Sequence, residues 1–135
     1  MGKGQVSIEY MLVLGFMFLM LIPLVALYNS AQQDSSDELV NGQLLRVGNT
    51  LRDAAERVYF AGDPAQEQVE LYFPDKLKQI SIYNTSIVFT AYGGSGPYDL
   101  LIPGLAPMNG SLKINKGVHI VTLVAQNGIV QIRES

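Results

Sequence analysis

The chain has 135 residues, 48% of them apolar, with a formal net charge of -3 and no cysteine, and its pI is near 5.0. That length leaves room for one domain, and the apolar share excludes a disordered chain. The acidic balance supplies no stripe of Lys and Arg for a nucleic-acid backbone, and the lack of thiols excludes a disulfide framework and a thiolate metal site.

The chain opens on Met1-Gly2-Lys3-Gly4, in which Lys3 is the only basic residue. From Met11 to Tyr28 eighteen residues carry no charge, and at ~1.5 Å per residue they span roughly 27 Å, close to the hydrocarbon thickness of a bilayer. A domain this small cannot bury a helix that is apolar on every side, so the run predicts a membrane segment. Leu27-Tyr28-Asn29-Ser30-Ala31 offers no convincing small-x-small cleavage site, and the helix is expected to stay with the chain. Lys3 places the N-terminus in the cytoplasm and everything after Tyr28 outside. Pro23 removes a backbone donor inside the run, which predicts a bend around residues 19 to 23 that a helix bundle would tolerate. Gly15 either allows close helix approach or is a neutral small residue.

Between Lys3 and Asp34 the only charged residue is Glu9. A carboxylate beside an apolar run is costly to bury charged and unpaired, and by position alone a solvated place at the membrane interface accounts for it.

The helix is expected to continue in amphipathic form. Val40, Leu44, Val47, Leu51, Ala54 and Val58 recur at steps of four and three, with Asn41, Arg46, Asn49, Arg52, Asp53 and Glu56 off that stripe. Ser35 followed by Glu38 has the form of a capping box, which predicts a kink or restart there. Asp34, Asp37 and Glu38 read as a solvated, capped break rather than a cation site. The helix ends at Ala61-Gly62-Asp63-Pro64.

Six short strands are expected beyond it: Val69 to Phe73, Gln79 to Tyr83, Ile87 to Tyr92, Leu112 to Asn115, Val118 to Ala125 and Ile129 to Arg133. Asn127-Gly128 predicts a type I′ hairpin between the last two. Both alternating sets of Val118 to Ala125 are mostly apolar, so that strand is expected to be covered on both faces. Gly93-Gly94-Ser95-Gly96-Pro97 lacks the Lys and helix start of a phosphate loop and reads as a flexible surface loop, with Gly93 to Asn109 as the outward contact surface. His119 is the only histidine, and without an evident carboxylate partner in the sequence it reads as structural. Asn84-Thr85-Ser86 and Asn109-Gly110-Ser111 are N-glycosylation sequons in expected turns, on the half assigned outside.

Lys3-Gly4 followed by Gln5-Val6-Ser7-Ile8-Glu9-Tyr10 and a hydrophobic helix resembles the class III signal of archaeal type IV pilins, in the group with a Gln-x-Ser-x-Glu start. The likeness covers about the first thirty residues in detail and the whole chain in outline, as helix followed by sheet. Its absence of cysteine departs from the many bacterial major pilins that carry a C-terminal disulfide, and archaellum subunits commonly lack the Gln-x-Ser-x-Glu start. The resemblance implies that a prepilin peptidase cuts between Gly4 and Gln5. Residues 1–4 would be the leader, and the helix would stay as the polymerisation element. A pilus assembly platform, its ATPase and further copies of the chain are the implied partners. An amine freed at Gln5 lies one turn before Glu9, and a stacked neighbour's amine could meet that carboxylate and set register.

These readings give an α+β fold. A long helix over residues 5–60, hydrophobic over 5–28 and amphipathic over 29–60, packs on a small antiparallel β head over residues 61–135. The expected function is structural: a subunit of an archaeal type IV adhesion pilus, held in the membrane as precursor and at the cell surface as a homopolymer. Gln5, Glu9 and Pro23 are its assembly residues, and no cofactor or metal is expected. A membrane-tethered minor subunit or binding module is the competing reading. A small membrane hydrolase has only Ser and Asp residues without a base.

Overall fold

In the computed structural model, residues 2–135 are described, apart from the side chains of Gly2, Lys3 and Gln33. The elements are α1 (Gly2–Ala61) and seven strands: β1 (Gln66–Phe73), β2 (Leu77–Tyr83), β3 (Ser86–Gly93), β4 (Gly96–Pro103), β5 (Met108–Gly110), β6 (Gly117–Gln126) and β7 (Ile129–Glu134). The chain divides into two compact units, residues 1–36 and residues 37–135. The fold is α+β, with the helix packed on antiparallel-rich sheets.

In the first unit every residue from Gly4 to Gln32 is exposed. The helix assignment continues through Pro23. It also continues past Ser35, whose hydroxyl donates to the Ala31 carbonyl at 2.9 Å. That bond to the residue one turn back is the helix-interior habit of serine. Ser35 is therefore not an N-cap, and the restart expected there does not occur.

The second unit owes its core to the amphipathic stripe. Val40, Leu44, Val47, Leu51, Ala54 and Val58 are all buried, and Ala55 joins them. Gly48 lies on the same face, and a Cβ there would come within 2.6 Å of Ile102 Cγ1 and 2.9 Å of Phe89 Cε2. Glycine lets the helix axis approach β3 and β4 closely at this point. The helix stops where Gly62 takes a φ of +85°, the left-handed conformation that glycine adopts without a side-chain penalty.

Two sheets receive the helix: β1-β6-β7-β5 and β2-β3-β4. Three two-residue turns make three hairpins, at Asn84-Thr85, Gly94-Ser95 and Asn127-Gly128. Asn127 and Gly128 have φ of 54° and 75°, both positive as a type I′ turn requires. One pairing departs from the expected all-antiparallel head, since β5 runs parallel to β7.

Four further expectations are corrected. Gly93 to Pro97 is not a flexible loop but the tight β3–β4 hairpin, with Gly93 opposite Gly96. Gly93 to Asn109, expected as outward loop, includes β4 and most of β5. Leu112 to Asn115 forms no strand. On β6, expected to be covered on both faces, His119, Val121, Leu123 and Ala125 point into the core, whereas Val118 and Ile120 on the other face are exposed.

Candidate functional site

The residues singled out in the sequence fall in three places. Gly4, Gln5, Glu9 and Pro23 all lie on α1 and are exposed. Gln5 and Glu9 are four residues apart, hence one turn apart on one helix face, whereas Pro23 lies about 21 Å further along the axis. Among the described residues the Glu9 side chain makes no ion pair or hydrogen bond. Met1 and the side chain of Lys3 lie outside the described residues. The apolar side chains beyond Glu9 are open throughout, Phe16 at 61% and Ile22 at 72% exposure. The helix is long and apolar enough to cross a membrane. A solitary helix surface of this kind leaves each of those side chains in contact with water, at a cost of about 1.5–3 kcal/mol apiece relative to burial.

The two sequons, 25 positions apart, come together. Asn84 sits at its hairpin turn with a φ of 46°, and its carbonyl accepts a hydrogen bond from the Met108 N–H at 2.5 Å, next to Asn109. Both asparagines are exposed. Asn109 lies in β5 rather than in the turn expected for it.

The third place corrects the reading of His119, which does have a carboxylate partner. His119 is buried to 8% exposure, with its ring stacked at a tilt on Phe73 at a centroid distance of 4.6 Å. Its Nδ1 lies 2.6 Å from Glu134 Oε1 and its Nε2 lies 2.6 Å from the Asn115 carbonyl. The other Glu134 oxygen accepts the Lys113 N–H at 3.0 Å. That backbone donor, and then the imidazole, hold the Glu134 carboxyl below the usual carboxylate range against its desolvation. The pairing was available in the sequence. A two-residue turn at 127–128 sets Val121 opposite Glu134, and alternation then brings Glu134 to the same face as His119, one diagonal step away.

Asp37, read in the sequence as part of a solvated break, is engaged as well. Its carboxylate accepts the Gly94 N–H at 2.7 Å and the Lys76 ammonium at 3.1 Å. These two partners, Gly94 first, lower its pKa. Among the described residues no cluster of His, Asp and Glu has the form of a metal site.

No family model, no curated protein and no solved structure matches the chain.

Proposed function

We propose that this chain is the precursor of a structural subunit of an archaeal type IV adhesion pilus, cut between Gly4 and Gln5 and polymerised through its N-terminal helix. The observation that carries the reading is the exposure of every residue from Gly4 to Gln32 beside a second unit that has a buried core of its own. A helix apolar all round and without partners in its own chain needs an apolar environment from elsewhere. Lipid supplies it first, and the same helix of neighbouring copies supplies it after assembly. The leader Lys3-Gly4 and the start Gln5-Val6-Ser7-Ile8-Glu9 support this order of events.

Glu9 fits the second environment better than the first. Unpaired in a dry bundle it is costly, whereas paired with the Gln5 amine of a stacked copy it fixes register, because a slipped neighbour leaves two charges unmatched. Asn84 and Asn109 are the sites at which the exported head is glycosylated. Adhesion is assigned to the outer surface of that head.

The test is the mass and N-terminal sequence of the mature chain, with electron microscopy of the cell surface. A start at Gln5, glycan increments removed by N84Q and N109Q, and filaments are expected. Glu9→Ala is expected to leave insertion and cleavage intact and to abolish filaments. Normal filaments from that variant would remove Glu9 from assembly. An uncut Met1 start without polymer would replace the pilus subunit by a singly tethered binding module.

A further inference from the structure

His119 and Glu134 pose a question of proton count that the assembly reading does not touch. The Asn115 carbonyl can only accept, so His119 Nε2 must carry a proton to meet it at 2.6 Å. On the other side Nδ1 faces a carboxylate oxygen at 2.6 Å, a separation at which one of the two atoms must hold a proton. A neutral imidazole beside an ionised carboxylate supplies one proton for two such contacts. The cluster therefore holds one proton more, as imidazolium with carboxylate or, equivalently in charge, as imidazole with carboxylic acid.

That proton connects three pieces of chain. Asn115 and Lys113 belong to the segment between β5 and β6, which has no ladder hydrogen bonds of its own. It is tied to β7 by the Lys113 N–H on Glu134 and to β6 by the Asn115 carbonyl on His119. The groups facing the imidazole from the other elements are few. Across β1 stand Leu71, opposite in register, and Phe73 against the ring, both uncharged. From β7 comes Glu134, and the Lys113 ammonium acts on that carboxylate in turn.

We propose that His119 and Glu134 form a proton-operated clasp that closes residues 112–116 onto the β6–β7 hairpin and releases them when the shared proton is lost. With the proton gone, a lone pair on one ring nitrogen faces an oxygen, so either the Asn115 carbonyl is repelled from Nε2 or the Glu134 carboxylate is repelled from Nδ1. In the first case the segment keeps only the Lys113 bond to Glu134, and in the second that bond follows a carboxylate no longer held by the ring. The segment's movement opens the groove lined by Asn109, Ser111, Lys113, Gln131 and Arg133. With the shared proton the clasp is shut; without it the clasp is open.

The chain carries a single histidine, so one imidazole signal reports the titration without ambiguity. The experiment follows the ring nitrogens of the full chain in detergent micelles by NMR from about pH 5 to about pH 9, a range that brackets ordinary imidazole titration. Hydrogen-exchange protection of the Lys113 amide, corrected for base catalysis, is measured alongside. Wild-type protection is expected to fall about tenfold in step with loss of the ring proton, because the segment opens more readily with one hydrogen bond fewer even though the Lys113 N–H keeps its acceptor. Glu134→Gln separates the clasp from mere packing. Its amide N–H can donate to a bare Nδ1 while its carbonyl accepts from Lys113, so a neutral imidazole satisfies every contact. Protection in this variant is expected to stay flat across the same range. Flat protection in the wild type, or an undiminished pH step in Glu134→Gln, would overturn the clasp.

Discussion

Gly48 and Gly42 stand about one and two-thirds helix turns apart on α1, and only one of them is needed. Beside Gly42 a Cβ meets nothing within 4 Å, whereas beside Gly48 it meets Ile102 and Phe89 at under 3 Å. Both glycines carry the same intrinsic cost, about 1 kcal/mol relative to alanine in a helix interior. Gly42→Ala recovers that cost and is expected to stabilise the head by roughly 0.5–1 kcal/mol. Gly48→Ala recovers it too, but pushes the helix off β3 and β4 or forces Ile102 and Phe89 from their rotamers, which costs about 1–3 kcal/mol. A net loss of roughly 1 kcal/mol is expected, read as opposite shifts of the two urea midpoints at unchanged slope. Two midpoints moving up together would mean that the close approach at Gly48 is not tight. Helical spacing places Gly48 on the core stripe between Leu44 and Leu51 and Gly42 off it, but how close the strands come at Gly48 is not readable there, because Phe89 and Ile102 lie forty-one and fifty-four positions away. The same limit hid the partner of Asp37. His119 differed, since the turn at Asn127-Gly128 already implied the register that brings Glu134 to it.

Among the elements, those whose order is set locally were legible. The stripe from Val40 to Val58, the stop at Gly62 and the β6–β7 hairpin follow from spacing and turn chemistry. β4 was missed because Gly96, Pro97 and Pro103 resemble turn residues. It is an edge strand of its sheet, where proline's missing donor is tolerated. Leu112 to Asn115 has the alternation of a strand but is held by side chains. The turn of the β3–β4 hairpin is fastened by one such tie, since Asp37 accepts from the Gly94 N–H there and from the Lys76 ammonium just before β2. This gives the tie a pH dependence of definite sign. The Asp37 carboxyl titrates lower in the folded chain than its ordinary value of 3.8. Its stabilisation is therefore complete above that value and is lost as pH falls through the lowered one. Glu67, lowered chiefly by Arg57, and Glu134 move the same way. The melting temperature of the head is accordingly expected to drop below about pH 4, and Asp37→Asn is expected to flatten part of that drop while lowering the plateau above it. Thermal melts of both chains between about pH 2 and pH 7 read the difference. Coincident curves would show that the tie adds nothing to stability.

At the scale of the molecule, one continuous helix serves two units with opposite relations to solvent. Its residues from Gly4 to Gln32 are exposed on every side, whereas beyond Asp37 it lends the head a stripe on which Leu44, Leu51, Ala54 and Ala55 are wholly buried. The strands alone are too short a chain for a stable core. Removing the helix takes Val40, Leu44, Val47, Leu51, Ala54, Ala55 and Val58 out of the one buried cluster that also holds Phe73, Phe89 and Leu123. Each buried leucine lost from the stripe costs about 2–5 kcal/mol, and two of them exceed the margin of most domains of this size. Cutting the chain at its two natural places should therefore give opposite results. A chain beginning at Asp34 keeps the stripe, sheds the exposed apolar run, and places acidic Asp34 and Asp37 at a new helix N-terminus, where the helix dipole favours them. It is expected to be soluble without detergent and to unfold in one cooperative transition. A chain beginning at Ala61 is expected to aggregate or to show no such transition. Circular dichroism and size-exclusion chromatography of the two chains decide it. A cooperative melt from the Ala61 chain would mean that the sheets close a core without the helix, leaving the helix as a stalk with no part in the stability of the head.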